Sequence, residues 1–203
     1  VPISDLLRDA LTKGDIYLFS SCLALVRFCG PHIAAGQGGG LESVRGAIQV
    51  ATNVLTLPVN PDATEKQMKT QESLKAECVS ALESLSRNAS LWSSISTDAL
   101  PSVIQYLHSS VGDEQGEATK CAALRAVLQI VQVPSHAVSA ATAGVVAPLA
   151  HMLSTRSASD EVPMLALEIL RVIATNQQAR QKARFLESGL VRSICVALGK
   201  CVT

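Results

Sequence analysis

The chain has 203 residues, 48% of them from the set AVILMFWYC, and its 17 Lys+Arg balance 17 Asp+Glu. Zero net charge gives no electrostatic reason to expect nucleic acid or an anionic membrane as partner, and no apolar run reaches the ~18 residues of a membrane span. Aromatics are only 3%, so Leu, Ala, Val and Ile must fill the core, a set that suits close-packed helices better than a β-sandwich.

In chain order, the sequence opens at Val1 rather than Met and reads as an excised piece of something larger. "ISDLLRDAL" (3–11) is a first amphipathic phrase, with Leu7 in the place that Leu107 takes in a later copy. "CLALVRFCG" (22–30) is a second phrase, in which Leu25 and Phe28 are the expected core pair. "GQGGG" (36–40) lacks the Lys-Ser/Thr of a Walker loop and follows no strand, so it reads as a flexible turn. "GGLESVRGAI" (39–48) repeats the first phrase. "TLPVNPDATEKQMKTQESL" (56–74) carries an insertion at 56–72; Pro58 and Pro61 end one helix, and Asp62 with Glu65 is expected to cap the next.

"SALESLSRN" (80–88), "RAVLQIVQV" (125–133) and "LEILRVIAT" (167–175) then repeat the second phrase. "DALPSVIQYL" (98–107), "GVVAPLAHML" (144–153) and "GLVRSICVAL" (189–198) repeat the first. Leu107 and Leu153 are 46 residues apart, Leu153 and Leu198 are 45 apart, and Ile48 precedes Leu107 by 59. The excess over the period is an insertion of roughly 13 residues. In the second phrase Leu82, Leu128 and Leu170 correspond, as do Leu85, Val131 and Ile173. Apolar positions at i, i+3 and i+7 predict helices with one buried stripe. Pro101 and Pro148 fall in the first helical turn, where proline is tolerated, and Gly144 and Gly189 stand just before it, where the chain must turn sharply. A third, shorter element links the two phrases: "ASLWSSIST" (89–97), "SHAVSAATA" (135–143) and "NQQARQKARFLES" (176–188), with apolar pairs Trp92/Ile95, Val138/Ala141 and Ala183/Leu186.

No such unit can bury its apolar stripe alone; stacked side by side, the units share one core. The order of a short helix, a Gly-bearing turn, a helix of G-A-L-P-x-L-V-x-L-L type and a longer helix with A-L-x-x-L resembles the armadillo repeat. That resemblance implies an all-α, armadillo-type α-solenoid, a right-handed superhelix of about four to five partial or complete three-helix repeats. They lie at 1–30 (partial), 31–88 (with the insertion), 89–134, 135–175 and 176–203 (partial), together one domain. Both ends would expose apolar faces, to be covered by further repeats or by self-association.

The six cysteines form no C-x-x-C pair and four sit in apolar helical stretches, which points to buried thiols in a reducing, cytoplasmic compartment and an unused sequon at Asn88-Ala89-Ser90. His32, His108, His136 and His151 have no metal-ligand spacing, and Cys29 with His32 lacks an orienting group. No enzyme, cofactor or metal is expected. "RQKAR" (180–184) reads as a solvated face or a contact for an acidic partner.

The expected partner is a protein or peptide on the concave face lined by the longest helices. In the nuclear-import branch of the armadillo family a W-x-x-x-N pattern on that helix holds a basic peptide. Here Ser80, Ala126 and Glu168 stand at the Trp places, and Ser84, Ile130 and Val172 at the Asn places, so the resemblance does not extend to nuclear-localisation signals. The face expected instead comprises Arg27, Ser80, Ser84, Arg87, Gln129, Glu168 and Arg171.

Overall fold

The computed structural model describes residues 2–33, 38–58, 62–109, 116–155, 160–183 and 189–200. Gly36, Gln37, Pro61, Arg184, Leu186 and Cys201 lie outside the described residues. Among those described, every regular element is helical and none is a strand. The chain divides into two compact units, Val1–Ser102 and Val103–Thr203.

In the first unit, α1 (Ile3–Lys13) and α2 (Ile16–Cys29) form a helical hairpin, with the Asp15 carboxylate accepting from the Leu18 N–H to cap α2. A 3-10 turn, Gly30–His32, leads towards α3 (Gly38–Thr56) and then α4 (Glu65–Ser86). Like stacks on like: α1 on α3, and α2 on α4. The crossing of α1 and α3 is close because Gly46 has no side chain there; a Cβ at that position would come 2.5 Å from the Ser4 Cβ. Leu7 and Ile48, which both stand in the Leu107 place of the first phrase, are fully buried. Burying a leucine or isoleucine side chain stabilises by about 1.5–3 kcal/mol, so these stripes hold the layers together.

The insertion is built as extra helix rather than as a loop. α3 runs to Thr56, eight residues past Ile48, whereas α9 (Val146–Ser154) stops one residue past Leu153. α4 has 22 residues against 15 in α7 (Glu117–Val131) and 15 in α10 (Glu161–Thr175). Its N-terminus is capped by Thr64 and Gln67 in a reciprocal capping box, not by Asp62 and Glu65 as the sequence suggested. Asp62 lies two residues too early: the helix begins only at Glu65, and Gln67 is the residue three positions after the hydroxyl that caps it. Gly38 to Gly40 likewise belong to the first turn of α3, where a flexible turn was expected.

After α4, Asn88 begins a short element: a 3-10 turn (Ala89–Leu91), a single turn α5 (Trp92–Ser94) and a π-helical turn (Ile95–Ala99), which runs straight into α6 (Leu100–Ser109). The Trp92 indole N–H donates to the Ser86 carbonyl at 2.5 Å. Asp98 explains the π turn. It occupies the place of Gly144 and Gly189, which break the chain at φ 83° and 66°. A residue with a Cβ pays about 1–2 kcal/mol for that left-handed conformation. The backbone here widens by one residue instead of turning.

The second unit contains α7, α8 (Pro134–Thr142), α9, α10, α11 (Gln177–Lys182) and α12 (Leu190–Lys200). Again like stacks on like: α7 on α10, α8 on α11, and α9 on α12. Pro134 opens α8 and Pro148 lies in the first turn of α9, where no backbone donor is lost. Leu124, Val127, Val131, Ile169 and Ile173 from the long helices are buried together with Ala137 and Ala140 of α8 and Leu149 of α9. The middle and long helices thus recur within the first unit, and the short, middle and long helices within the second.

Candidate partner-binding faces

Each long helix has a buried side and an opposite side turned to solvent. In α4 the buried side is Cys78, Val79, Leu82 and Leu85. Ser80 and Ser84 lie half-buried on the other side, with Arg87 exposed at its C-terminal end. The Ser84 hydroxyl is already engaged, donating 2.8 Å to the Arg27 carbonyl and tying α4 to the end of α2. The Arg87 guanidinium, itself exposed, lies 3.4 Å from the largely buried Glu83 carboxylate.

α2 departs from the expected register. Its core residues are Phe19, Cys22, Leu23 and Val26, whereas Leu25 and Phe28 are 57% and 78% exposed. Leu23 and Val26, not Leu25 and Phe28, therefore correspond to Leu82 and Leu85, each 59 residues earlier. The places matching Ser80 and Ser84 become Ser21 and Leu25. Arg27 is exposed, but on the flank of α2 rather than on the side opposite the core. The residues missed are Tyr17, Leu25 and Phe28, an apolar stripe with Tyr17 90% exposed. The signal was present in the spacing of 59 residues that the first phrase already shows.

In the second unit Gln129 is exposed on α7, while Ile130 beside it is buried, so the apolar groove that an exposed Ile130 would have offered is not formed. On α10, Glu168 and Arg171 face solvent together with half-buried Val172 and with Met164, which is 68% exposed. Arg171 holds Glu168 by two bonds, Nε to Oε2 at 2.9 Å and Nη2 to Oε1 at 2.5 Å. The hydrogen bond from Arg171 lowers the Glu168 pKa, and that same bond raises the Arg171 pKa. The two charges cancel locally, so this face of α10 offers bidentate hydrogen-bonding groups and a thioether rather than a net charge. A second ion pair, Arg125 with Glu161, links α7 to α10.

Ser80, Ser84 and Arg87 thus lie on the less buried side of α4, Arg27 lies apart on the flank of α2, and Glu168 and Arg171 share one surface of α10. Among the described residues no three of His, Cys, Asp and Glu converge as a metal site would require. No single described helix is long and apolar enough to cross a membrane. No protein-family model matches the sequence, and no curated protein is significantly similar to it.

Proposed function

We propose that the chain is a non-enzymatic protein-interaction scaffold of armadillo-like repeats, a right-handed superhelical stack that takes a protein or peptide partner along the inner face of its long helices. The like-on-like stacking inside each unit supports the repeat reading. The observation that carries the binding reading is the matched asymmetry of α4 and α10. Both bury one side completely and leave on the other a polar group beyond what packing uses: Ser80 and Arg87 in one, the Glu168–Arg171 ion pair in the other. A structural role needs only the buried side. A cytoplasmic, reducing setting fits the same reading, since Cys22, Cys78 and Cys121 are buried singly as free thiols.

The test is peptide selection on the purified chain, followed by titration of the selected peptides against charge-reversed variants. Arg87→Glu and Arg171→Glu should each weaken binding about tenfold, a change of about 1.4 kcal/mol. Affinities unchanged in both variants would remove the inner face from the proposal.

A second reading, an architectural or oligomerisation segment within a larger cytosolic assembly, is favoured by a separate observation: the exposed apolar stripe of α2.

A further inference from the structure

Two of the six aromatic residues in this chain stand on a single exposed stripe. Tyr17, Ser21, Ala24 and Phe28 follow one another at spacings of 4, 3 and 4 along α2, the spacing of a helix-pairing seam. All four are solvent-facing or half-open, directly opposite Phe19, Cys22, Leu23 and Val26, through which α2 packs into its own unit. The seam has two large residues at its ends and two small ones in its middle.

That order is complementary to itself when reversed. In an antiparallel two-fold pairing, Tyr17 meets Phe28 of the other copy, and Ser21 meets Ala24 of the other copy. The small pair lets the backbones approach, and the aromatic pairs close over both ends. Charge selects the same arrangement. From Asp15 to Cys29 the only charged residues are Asp15, at the N-cap, and Arg27, in the last turn. Antiparallel pairing places each Arg27 at the same end of the pair as the other copy's Asp15 and opposes the two helix dipoles. Parallel pairing would put both cationic ends together and align the dipoles.

We propose that α2 is a self-association surface, paired antiparallel with α2 of a second copy of this chain. It does not rest on the scaffold reading. One 14-residue helix per copy buries less than the ~800 Å² per partner of a standard interface, so the dimer is weak, with a dissociation constant in the micromolar range.

Sedimentation velocity of the purified chain from about 1 to 200 μM should show a reversible monomer–dimer equilibrium. Tyr17→Ser and Phe28→Ser should each raise the dissociation constant at least tenfold, with unchanged circular dichroism and melting temperature, since neither side chain is in the core. Orientation is read separately. In a Cys29→Ser background, a mixture of Ser21→Cys and Ala24→Cys proteins should cross-link mainly as the mixed 21–24 disulfide. Dominant 21–21 and 24–24 products would overturn the antiparallel pairing. A chain that stays monomeric throughout overturns self-association, and one that also binds a selected peptide through Tyr17 and Phe28 reassigns the stripe to a foreign helix.

Discussion

Asn88 and Asn176, 88 residues apart, each perform the same two tasks. The Asn88 Oδ1 accepts from the Ser90 N–H at 3.0 Å and so caps the short element that follows, while its Nδ2 donates to the Gly30 carbonyl at 3.1 Å and the Ile33 carbonyl at 3.0 Å. The Asn176 Oδ1 accepts from the Ala179 N–H at 3.0 Å, and its Nδ2 donates to the Pro134 carbonyl at 3.1 Å. In both units one amide starts the short helix and ties it back to the previous short element, Gly30–Ile33 in one and the start of α8 in the other. An acceptor alone, or a donor alone, could not do both.

Replacing either asparagine by alanine should therefore cost more than a lost cap. The cap contributes about 1 kcal/mol, and each carbonyl left without a partner adds about 1–3 kcal/mol. Asn88→Ala should be the more damaging, because it removes bonds to two carbonyls, of which, among the described residues, only Gly30 keeps another donor, the Ile33 N–H at 3.3 Å, whereas Asn176 serves one. Asn88→Asp keeps the cap but turns a carboxylate towards Gly30 and Ile33. Urea denaturation of the three variants checks the order; equal losses at both positions would refute the two-carbonyl account. The same geometry leaves the sequon at Asn88 unfit for glycan attachment, which would replace one of the N–H groups in use.

Gly144 is at φ 83° with nothing within 4 Å of where a Cβ would sit. Gly144→Ala should destabilise through backbone strain alone, by about 1–2 kcal/mol. Gly46→Ala, blocked by the Ser4 Cβ at 2.5 Å, forces α1 and α3 apart and should cost more. Thermal melts of the two variants separate strain from clash: pairing Ser4→Gly with Gly46→Ala should recover much of the second loss and none of the first.

Much of this architecture can be read from the residues. The leucines at 82, 107, 153 and 170 are buried where their spacing places them, and Gly144, Gly189 and Pro148 sit at the breaks and first turns their chemistry favours. α2 could not be read the same way. "IYLFSSCLALVRFC" is apolar nearly all round, so its pattern does not choose which side faces inward; contacts with α1 and α4 choose it. The fate of the insertion was legible in part: its capping residues point to a lengthened α4, but nothing points to a lengthened α3. Only the tie from α4 back to residues 57 and 58 makes the two extensions a pair. On the binding face, the identities of Ser80, Arg87, Glu168 and Arg171 are plain in the sequence, whereas the cancelling bond between Glu168 and Arg171 depends on their being one turn apart on α10.

Alkaline pH should weaken the fold through Cys78. Burial, reinforced by the neighbouring Glu77 carboxylate, pushes its thiol up to about 12 from an ordinary value of 9.0. The unfolded chain loses that proton first. Stability is therefore full below about pH 9 and falls as pH rises towards 12, by up to about 1.4 kcal/mol per unit. Cys22 and Cys121, also raised by burial, act in the same direction. Melting temperatures measured between pH 8 and roughly pH 11 should drop less steeply for Cys78→Ala than for the native chain, whatever the cost of the cavity at neutral pH. Iodoacetamide should correspondingly modify exposed Cys29 and Cys195 well before Cys78.

The extended hairpin of α3 and α4 depends on two side chains of α4. Gln71 Nε2 donates to the Leu57 carbonyl at 3.2 Å and the Pro58 carbonyl at 3.1 Å, and Lys75 Nζ donates to the Leu57 carbonyl at 3.0 Å. These carbonyls follow the last turn of α3, where a cation also meets the negative end of the helix dipole. Lys75 makes the bond at some expense: burial lowers its pKa, with Glu72 partly restoring it. Lys75→Met should keep the aliphatic packing while losing the bond and the charge, for about 1–2 kcal/mol. Gln71→Ala should cost a similar amount, and the two losses should be less than additive because both side chains serve Leu57. Hydrogen exchange locates the effect: amides in the last turn of α3 and the first turns of α4 should exchange faster, while those of α7 and α10 stay as protected as before. Faster exchange spread evenly over both units would mean that Lys75 supports the fold as a whole rather than this hairpin.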